Sequence, residues 1–306
     1  MRSVIGVDGG ATATRGALAD ERGEILATAA GPTVSPRLAT RPQISVRLRD
    51  LFESLARDGG CTDKQIAAVG LGVSGCDRPE DRTLLESAVR EILPQAVVAA
   101  TNDAEVALIG ALGEREGIIV ISGTGSIAYG FRSDDRSFRS GGHGHWLGDE
   151  GGGFAIAQRG LIGIMRAHDG RGPETALTGH VLRHLGLAEP SALRAWMDAH
   201  APQKAEVAAL APLVFEMAAA KDAVCSGIVA WACDELALAV GAVADELWDA
   251  HAPVNCAVSG KLLLTQAALI SGFNGRLLRR WPNVQVRIPE REAVVGAVIY
   301  ALKVLS

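Results

Sequence analysis

Val4-Ile5-Gly6-Val7-Asp8-Gly9-Gly10-Ala11-Thr12-Ala13-Thr14 opens the chain, and Ile118-Ile119-Val120-Ile121-Ser122-Gly123-Thr124-Gly125-Ser126 repeats its design in mid-chain. Each is an apolar run that ends in a glycine turn followed by hydroxyl side chains. Glycines let a backbone come close to a phosphate, and backbone N–H groups with hydroxyls beyond a strand form an anion-holding concavity. One such turn is an ordinary hairpin signal. Two of them, with Asp8 at the end of the first strand, point to a nucleotide-handling enzyme made of two related halves.

Working outward, the apolar runs Val4–Val7, Arg15–Ala19 and Glu24–Ala29, broken by Gly9-Gly10 and Asp20-Glu21-Arg22-Gly23, predict a three-stranded meander. Ile44, Leu48, Leu51, Phe52 and Leu55 recur at helical spacing. Strands are expected over Ala67–Val73 and Ala96–Ala100, and helices over Arg82–Leu93 and Ala104–Leu112. A second meander starts at Gly117, helices dominate from Phe154 to about His251, and strands Asn255–Val258 and Val284–Ile288 precede a final helix over Glu290–Leu305. Strand–helix alternation calls for α/β domains with mixed sheets. The expected division is residues 1–115 and 116–289, with the hinge near Gly113–Gly117.

The 306 residues include 36 glycines, are 48% hydrophobic and carry a formal charge of -5. Scattered basic residues and a negative balance argue against nucleic acid or an anionic membrane as partner. The N-terminus lacks the long apolar stretch of a secretory signal, so a cytoplasmic location is expected. The most apolar helical stretch, Ile228 to Val243, carries Asp234 and Glu235 in its middle and reads as a core helix. Five cysteines form no CxxC pair and read as reduced thiols.

Asp8 is a candidate to hold Mg²⁺ beside a polyphosphate, with a turn-forming Asx role as the competing reading. Asp103 follows a buried strand and begins a helix, a place from which a carboxylate can accept the proton of an attacking hydroxyl. Capping by Asn102 or Asp103 is the alternative. Gly141–Gly153 is too glycine-dense and polar for a core element and should line a cavity. Its His143 and His145 lack a third ligand at zinc spacing. Asp149 and Glu150 are too close in sequence to flank a glycosidic bond, so Asp149 reads better as an acceptor for sugar hydroxyls.

In order, GVDGGATAT, TNDA, ISGTGS, GGHGHWLGDEGG and AVSGKLLL resemble the motif series of the N-acetylglucosamine kinase and BadF/BadG-type ATPase family, within the actin, sugar kinase and Hsp70 superfamily. The resemblance implies two ribonuclease-H-like domains (actin/hexokinase-like) with ATP bound in the cleft between them, and phosphorylation of an amino sugar, N-acetylglucosamine, on its 6-hydroxyl. It places Asp8, Gly10, Thr12, Gly123, Thr124, Gly125 and Ser126 at the phosphates and magnesium, and Gly260 and Lys261 by the adenosine. Asp103 becomes the base, and Gly142, His143, Gly144 and Asp149 bind the sugar, with Ser74 and Ser35 nearby. ATP, Mg²⁺ and a small sugar are thus the expected ligands, and a homodimer is left open. Glucosamine or another hexose derivative, and an activator ATPase that drives electron transfer through a shared iron–sulfur cluster, are the alternatives. The chain departs from the family pattern at Ala11, at Gly152, and in Gly31–Pro36, where Ser35 stands in place of an asparagine.

Overall fold

The computed structural model describes residues 2–200 and 203–305. The chain divides into two compact units, one of residues 1–117, 131–134 and 287–306, the other of residues 118–130 and 135–286.

In the first unit β1 (Ser3–Gly9), β2 (Ala13–Asp20) and β3 (Ile25–Pro32) form an antiparallel meander. After α1 (Arg41–Asp58), β4 (Ile66–Val73) runs parallel to β1. After α2 (Pro79–Ile92), β5 (Val97–Thr101) runs parallel to β4 and leads into α3 (Asp103–Leu112). The sheet order is β3-β2-β1-β4-β5. Strand alternation gives the sheet two unlike faces. Ile5, Val7, Leu18, Val69 and Leu71 face one core with the apolar side of α1 and α2, whereas Val4, Ala17, Ala19 and Ala68 face a second, made of small residues.

The second unit repeats the plan. β6 (Gly117–Ser122), β7 (Ser126–Phe131) and β8 (Ser137–Gly141) lie in sequence, and β9 (Val254–Ser259) pairs parallel with β6. Between them come α4 (Gly153–His168), α5 (Leu177–Leu185), α6 (Leu193–His200), α7 (Lys204–Ala208), α8 (Ala211–Ala219) and α9 (Ala223–Leu247). The short α10 (Lys261–Thr265) and α11 (Ala267–Arg280) lead to β10 (Val284–Arg287), and the sheet order is β10-β9-β6-β7-β8. α9 is long and apolar enough by composition to cross a membrane. It packs on α4, α8 and α11, and its Asp234 and Glu235 pair with Arg276 and with the Trp231 indole.

The closing helix, α12 (Ala293–Leu305), returns to the first unit and covers the small-residue face of its sheet. A Cβ on Gly296 would lie 1.9 Å from the Val106 carbonyl oxygen, so glycine is what allows α12 to press against α3. The expected elements are therefore present, with shifted ends. The sequence reading stops β1 at Val7, but the strand continues to Gly9. It also starts the last helix at Glu290, three residues before its observed start.

Candidate active site

In the first unit the site is built at the carboxyl ends of the parallel strands. Asp8 lies beside Gly72 in the β1–β4 register, and Gly72 beside Thr101 in the β4–β5 register. At about 4.8 Å per strand, the backbones of Asp8 and Thr101, two residues before α3, are about 10 Å apart. Burial pushes the Asp103 carboxyl up to about 6, and the nearby negative charge of Asp8 adds to the rise. Asp8 also rises to about 6, mainly through burial, with Arg15 opposing and Glu292 assisting. Arg15 and Glu292 pair with each other at 3.2 Å. No described residue hydrogen-bonds the Asp8 carboxylate, so nothing supports the Asx-turn alternative, and a half-buried, unsatisfied carboxylate of this kind fits a cation.

Asn102 is the N-cap of α3: its Oδ1 accepts the Ala104 N–H at 2.8 Å, and its Nδ2 donates to Asp77 at 2.6 Å. The cap and the candidate base are thus different residues. Asp103 only shares the Ala104 N–H, at 3.1 Å. One turn along α3, Glu105 is 2% exposed, accepts the Thr101 hydroxyl and pairs with Arg115, which anchors the helix in the unit.

The loops around this edge show which hydroxyls are already engaged. The Gly10 N–H donates to the Ala13 carbonyl at 2.9 Å, and the Gly10 carbonyl accepts the Thr33 hydroxyl. Gly10 thus shapes the first turn, and the exposed Ala11 and Thr12 present its remaining N–H groups. Ser35 is buried, and its hydroxyl donates to the Ser74 carbonyl at 2.7 Å. Ser35 thereby braces the Ser74 loop, and its hydroxyl proton is engaged within the fold. The Ser74 N–H in turn donates to the Gly9 carbonyl, which leaves its hydroxyl near the Asp8 end of the sheet.

In the second unit the β6–β7 turn closes through a Gly123 N–H bond to the Gly125 carbonyl. The N–H groups of Thr124 and Gly125 are outside the described bonds. The Ser126 hydroxyl is engaged in the same way as that of Ser35: it donates to the Glu150 carbonyl at 2.5 Å and ties the glycine-rich loop to β7. Asp149 lies against this turn, its Oδ2 2.6 Å from where a Gly125 Cβ would stand, and it accepts a bond from the Gly144 backbone. Burial raises its pKa. A Cβ on Gly152 would meet the Gly125 carbonyl carbon at 2.5 Å, which accounts for glycine at that departure from the family pattern. Gly142 and Gly144 have φ of +69° and +89°, and His143 is exposed at the loop surface.

A cavity of about 340 Å³ opens beside the turn, lined by Gly123 and Thr124, by Ala205, Ala208 and Pro212, and by Lys261 and Gln266. Gly260, at φ +86°, turns the chain into α10 so tightly that a Cβ would lie 2.3 Å from the Ser122 carbonyl oxygen. The alanines and Gln266 were not foreseen. Their only trace in sequence is a run of small residues around Ala205–Ala209, which also suits an ordinary packed helix.

Residues 5–301 match the BadF/BadG/BcrA/BcrD ATPase family. The chain belongs to the BadF/BadG/BcrA/BcrD ATPase family. Within that family's range, an N-acetylmuramic acid/N-acetylglucosamine kinase of Clostridium acetobutylicum is 32% identical over 302 residues, 98% of each chain. An N-acetyl-D-glucosamine kinase of Dictyostelium discoideum is 30% identical over 310 residues, 97% of each chain. A solved structure from Chromobacterium violaceum, described as an N-acetylglucosamine kinase, gives a TM-score of 0.74 at 28% identity, covering 100% of this chain and 99% of that one. The paired α/β units of this family member are accordingly the hexokinase-like fold that the motif series implied.

Proposed function

We propose that the protein is an ATP-dependent amino-sugar kinase that transfers the γ-phosphoryl group to the 6-hydroxyl of N-acetylglucosamine. The observation that carries the reading is Asp103, a half-buried carboxylate at a strand end, raised to about 6 and relieved of the capping role by Asn102. Such a group is ionised at neutral pH yet still basic enough to take a proton. Asp103 accepts the hydroxyl proton as the sugar oxygen bonds to the γ-phosphorus and the bond to the β-phosphate oxygen breaks, releasing ADP and a 6-phosphate.

The second unit supplies the nucleotide side. The Thr124 and Gly125 N–H groups hold phosphate oxygens, and the cavity walled by Ala205, Ala208 and Lys261 takes the adenosine. Gly142, His143, Gly144 and Asp149 are assigned to the sugar, and Ser74 and Thr12 complete the polar groups of the first unit. Asp8 would hold Mg²⁺, which would supply charge neutralisation at the polyphosphate. We place the enzyme in the cytoplasm.

The activator alternative requires thiolates gathered to bind a cluster. Cys76 and Cys225 are buried thiols pushed up to about 12 and Cys233 to about 11, which opposes that use. The test is ADP release from Mg-ATP with a panel of amino sugars, hexoses and water alone, with the phosphorylated carbon identified by NMR. Sugar-dependent ADP and a 6-phosphate are expected. Release independent of sugar overturns the reading.

A further inference from the structure

Asp77 has no part in the sequence motifs, yet it joins three segments at the edge of the first sheet. Its Oδ2 pairs with Arg37 at 2.7 Å and its Oδ1 accepts the Asn102 Nδ2 at 2.6 Å. Arg37 in turn packs its aliphatic stem along Gly75, where a Cβ would meet Cδ and Cγ at 2.9 Å. The Asn102 amide has two ends of opposite character, and only one orientation caps the helix. With Nδ2 on Asp77, Oδ1 is left facing the Ala104 N–H and takes it at 2.8 Å. The same N–H is also within reach of Asp103 Oδ1, at 3.1 Å.

Two acceptors therefore compete for one helix-terminal donor, and Asp77 decides the competition in favour of the amide. We infer that Asp77 is a positioning residue: by orienting the Asn102 amide it keeps Asp103 from being drawn into the helix cap and leaves that carboxylate aimed at the substrate hydroxyl. Without Asp77, Asn102 has lost the acceptor that fixes its orientation. Asp103, whose Oδ1 already lies 3.1 Å from the Ala104 nitrogen, then takes that N–H and turns away from the sugar. Arg37 acts one step back, by holding Asp77.

The inference rests on the reading of Asp103 as the base, and its test separates the two. Assayed with N-acetylglucosamine and Mg-ATP, Asp77→Ala should lower kcat about ten- to a hundredfold relative to wild type with KM for ATP nearly unchanged, since a displacement of about 1 Å in a reacting group has effects of that size. Asp77→Asn keeps an acceptor for Asn102 Nδ2 and should recover most of the lost rate. Asn102→Ala should reproduce the Asp77→Ala loss, and the double variant should be no worse than either single one. A crystal structure of Asp77→Ala should show Asp103 Oδ1 as the nearer acceptor of the Ala104 N–H. Losses that multiply in the double variant, a rate within about twofold of wild type in Asp77→Ala, or an unmoved Asp103 each overturn the inference. If the wild type phosphorylates no sugar, the kinase reading falls, and the crystal comparison decides the positioning role by itself.

Discussion

Replacing Asp103 by Asn should make the protein more stable while it stops working. The folded chain raises this carboxyl from its ordinary 3.8 to about 6, chiefly by burial. At about 1.4 kcal/mol per pKa unit that difference corresponds to about 3 kcal/mol of unfavourable energy for the ionised group at neutral pH. Asn is nearly isosteric, can still share the Ala104 N–H, and carries no charge to bury. Its own buried amide takes back part of the gain, so stabilisation of about 1–3 kcal/mol is expected, a rise in Tm of several degrees for a chain of this size. The folded chain binds the Asp103 proton more tightly than the unfolded chain. Wild-type stability from this group is therefore full below about pH 4 and is lost as pH rises through about 6. The difference between variant and wild type should open across that window and close below it. Scanning calorimetry near pH 4 and near pH 7.5 reads the difference, and ADP release reads turnover, which should fall about 10²- to 10⁴-fold with the loss of a general base. An Asn variant of equal or lower Tm at neutral pH would refute the burial argument, and one of near-normal rate would remove Asp103 from the chemistry.

Four further outcomes follow from the same geometry. The wild-type kcat/KM should have an acid limb centred near pH 6, falling about tenfold from pH 7 to pH 5, as the Asp103 carboxylate takes up its proton; a flat profile across that range speaks against it. Ala208→Phe fills the cavity beside Thr124 and should raise Kd for ATP more than about tenfold with sugar affinity unchanged, as measured by calorimetric titration of each ligand. Gly260→Ala forces a Cβ into the Ser122 backbone at a positive φ and should cost about 1–3 kcal/mol of stability along with ATP affinity. Arg115→Ala leaves the buried Glu105 carboxylate without its cation and should destabilise the first unit by about 2–4 kcal/mol in urea unfolding, a loss that Glu105→Gln in the same background partly reverses.

The parts of the fold legible in sequence were those whose periodicity is carried by large side chains. Ile44, Leu48, Leu51 and Leu55 mark α1 directly because they are the residues that it buries. The face under α12 was less legible, since its strands bury glycine and alanine there, and small residues carry little hydropathy signal. In the site, Asp8, Thr124 and Asp103 stand out because strand ends and glycine turns leave a local signature. Which hydroxyls remain available was not legible. Ser35 and Ser126 look like ligands in sequence, but each has a carbonyl partner at least 24 residues away that only the fold brings near. Asp77 was hidden for the same reason, since its partners lie 40 and 25 residues off in opposite directions along the chain.

The two units also show one turn design put to two different local uses. Strand order runs β3-β2-β1-β4-β5 in the first and, read from the other edge, β8-β7-β6-β9-β10 in the second, so β4 corresponds to β9. The chain leaves both strands through the same three residues, Val73-Ser74-Gly75 and Val258-Ser259-Gly260, and both glycines lie at nearly the same φ, +82° and +86°. The backbone need is therefore shared: a chain leaving a parallel strand must turn at once to bring its next residues over the sheet edge. What differs is the residue that follows. After Gly75 the chain passes Cys76 to Asp77, which holds the helix start that carries Asp103. After Gly260 it passes directly to Lys261 and a short helix that lines a cavity large enough for part of a nucleotide. A duplicated turn thus fixes where the chain goes, and the residues after it set what each edge presents, an anchor for a helix start in one unit and the wall of a cavity in the other. Exchanging the short segments after the two glycines should on this argument leave both sheets folded by circular dichroism while abolishing turnover, and a chimaera that unfolds would show that those segments also hold the turns in place.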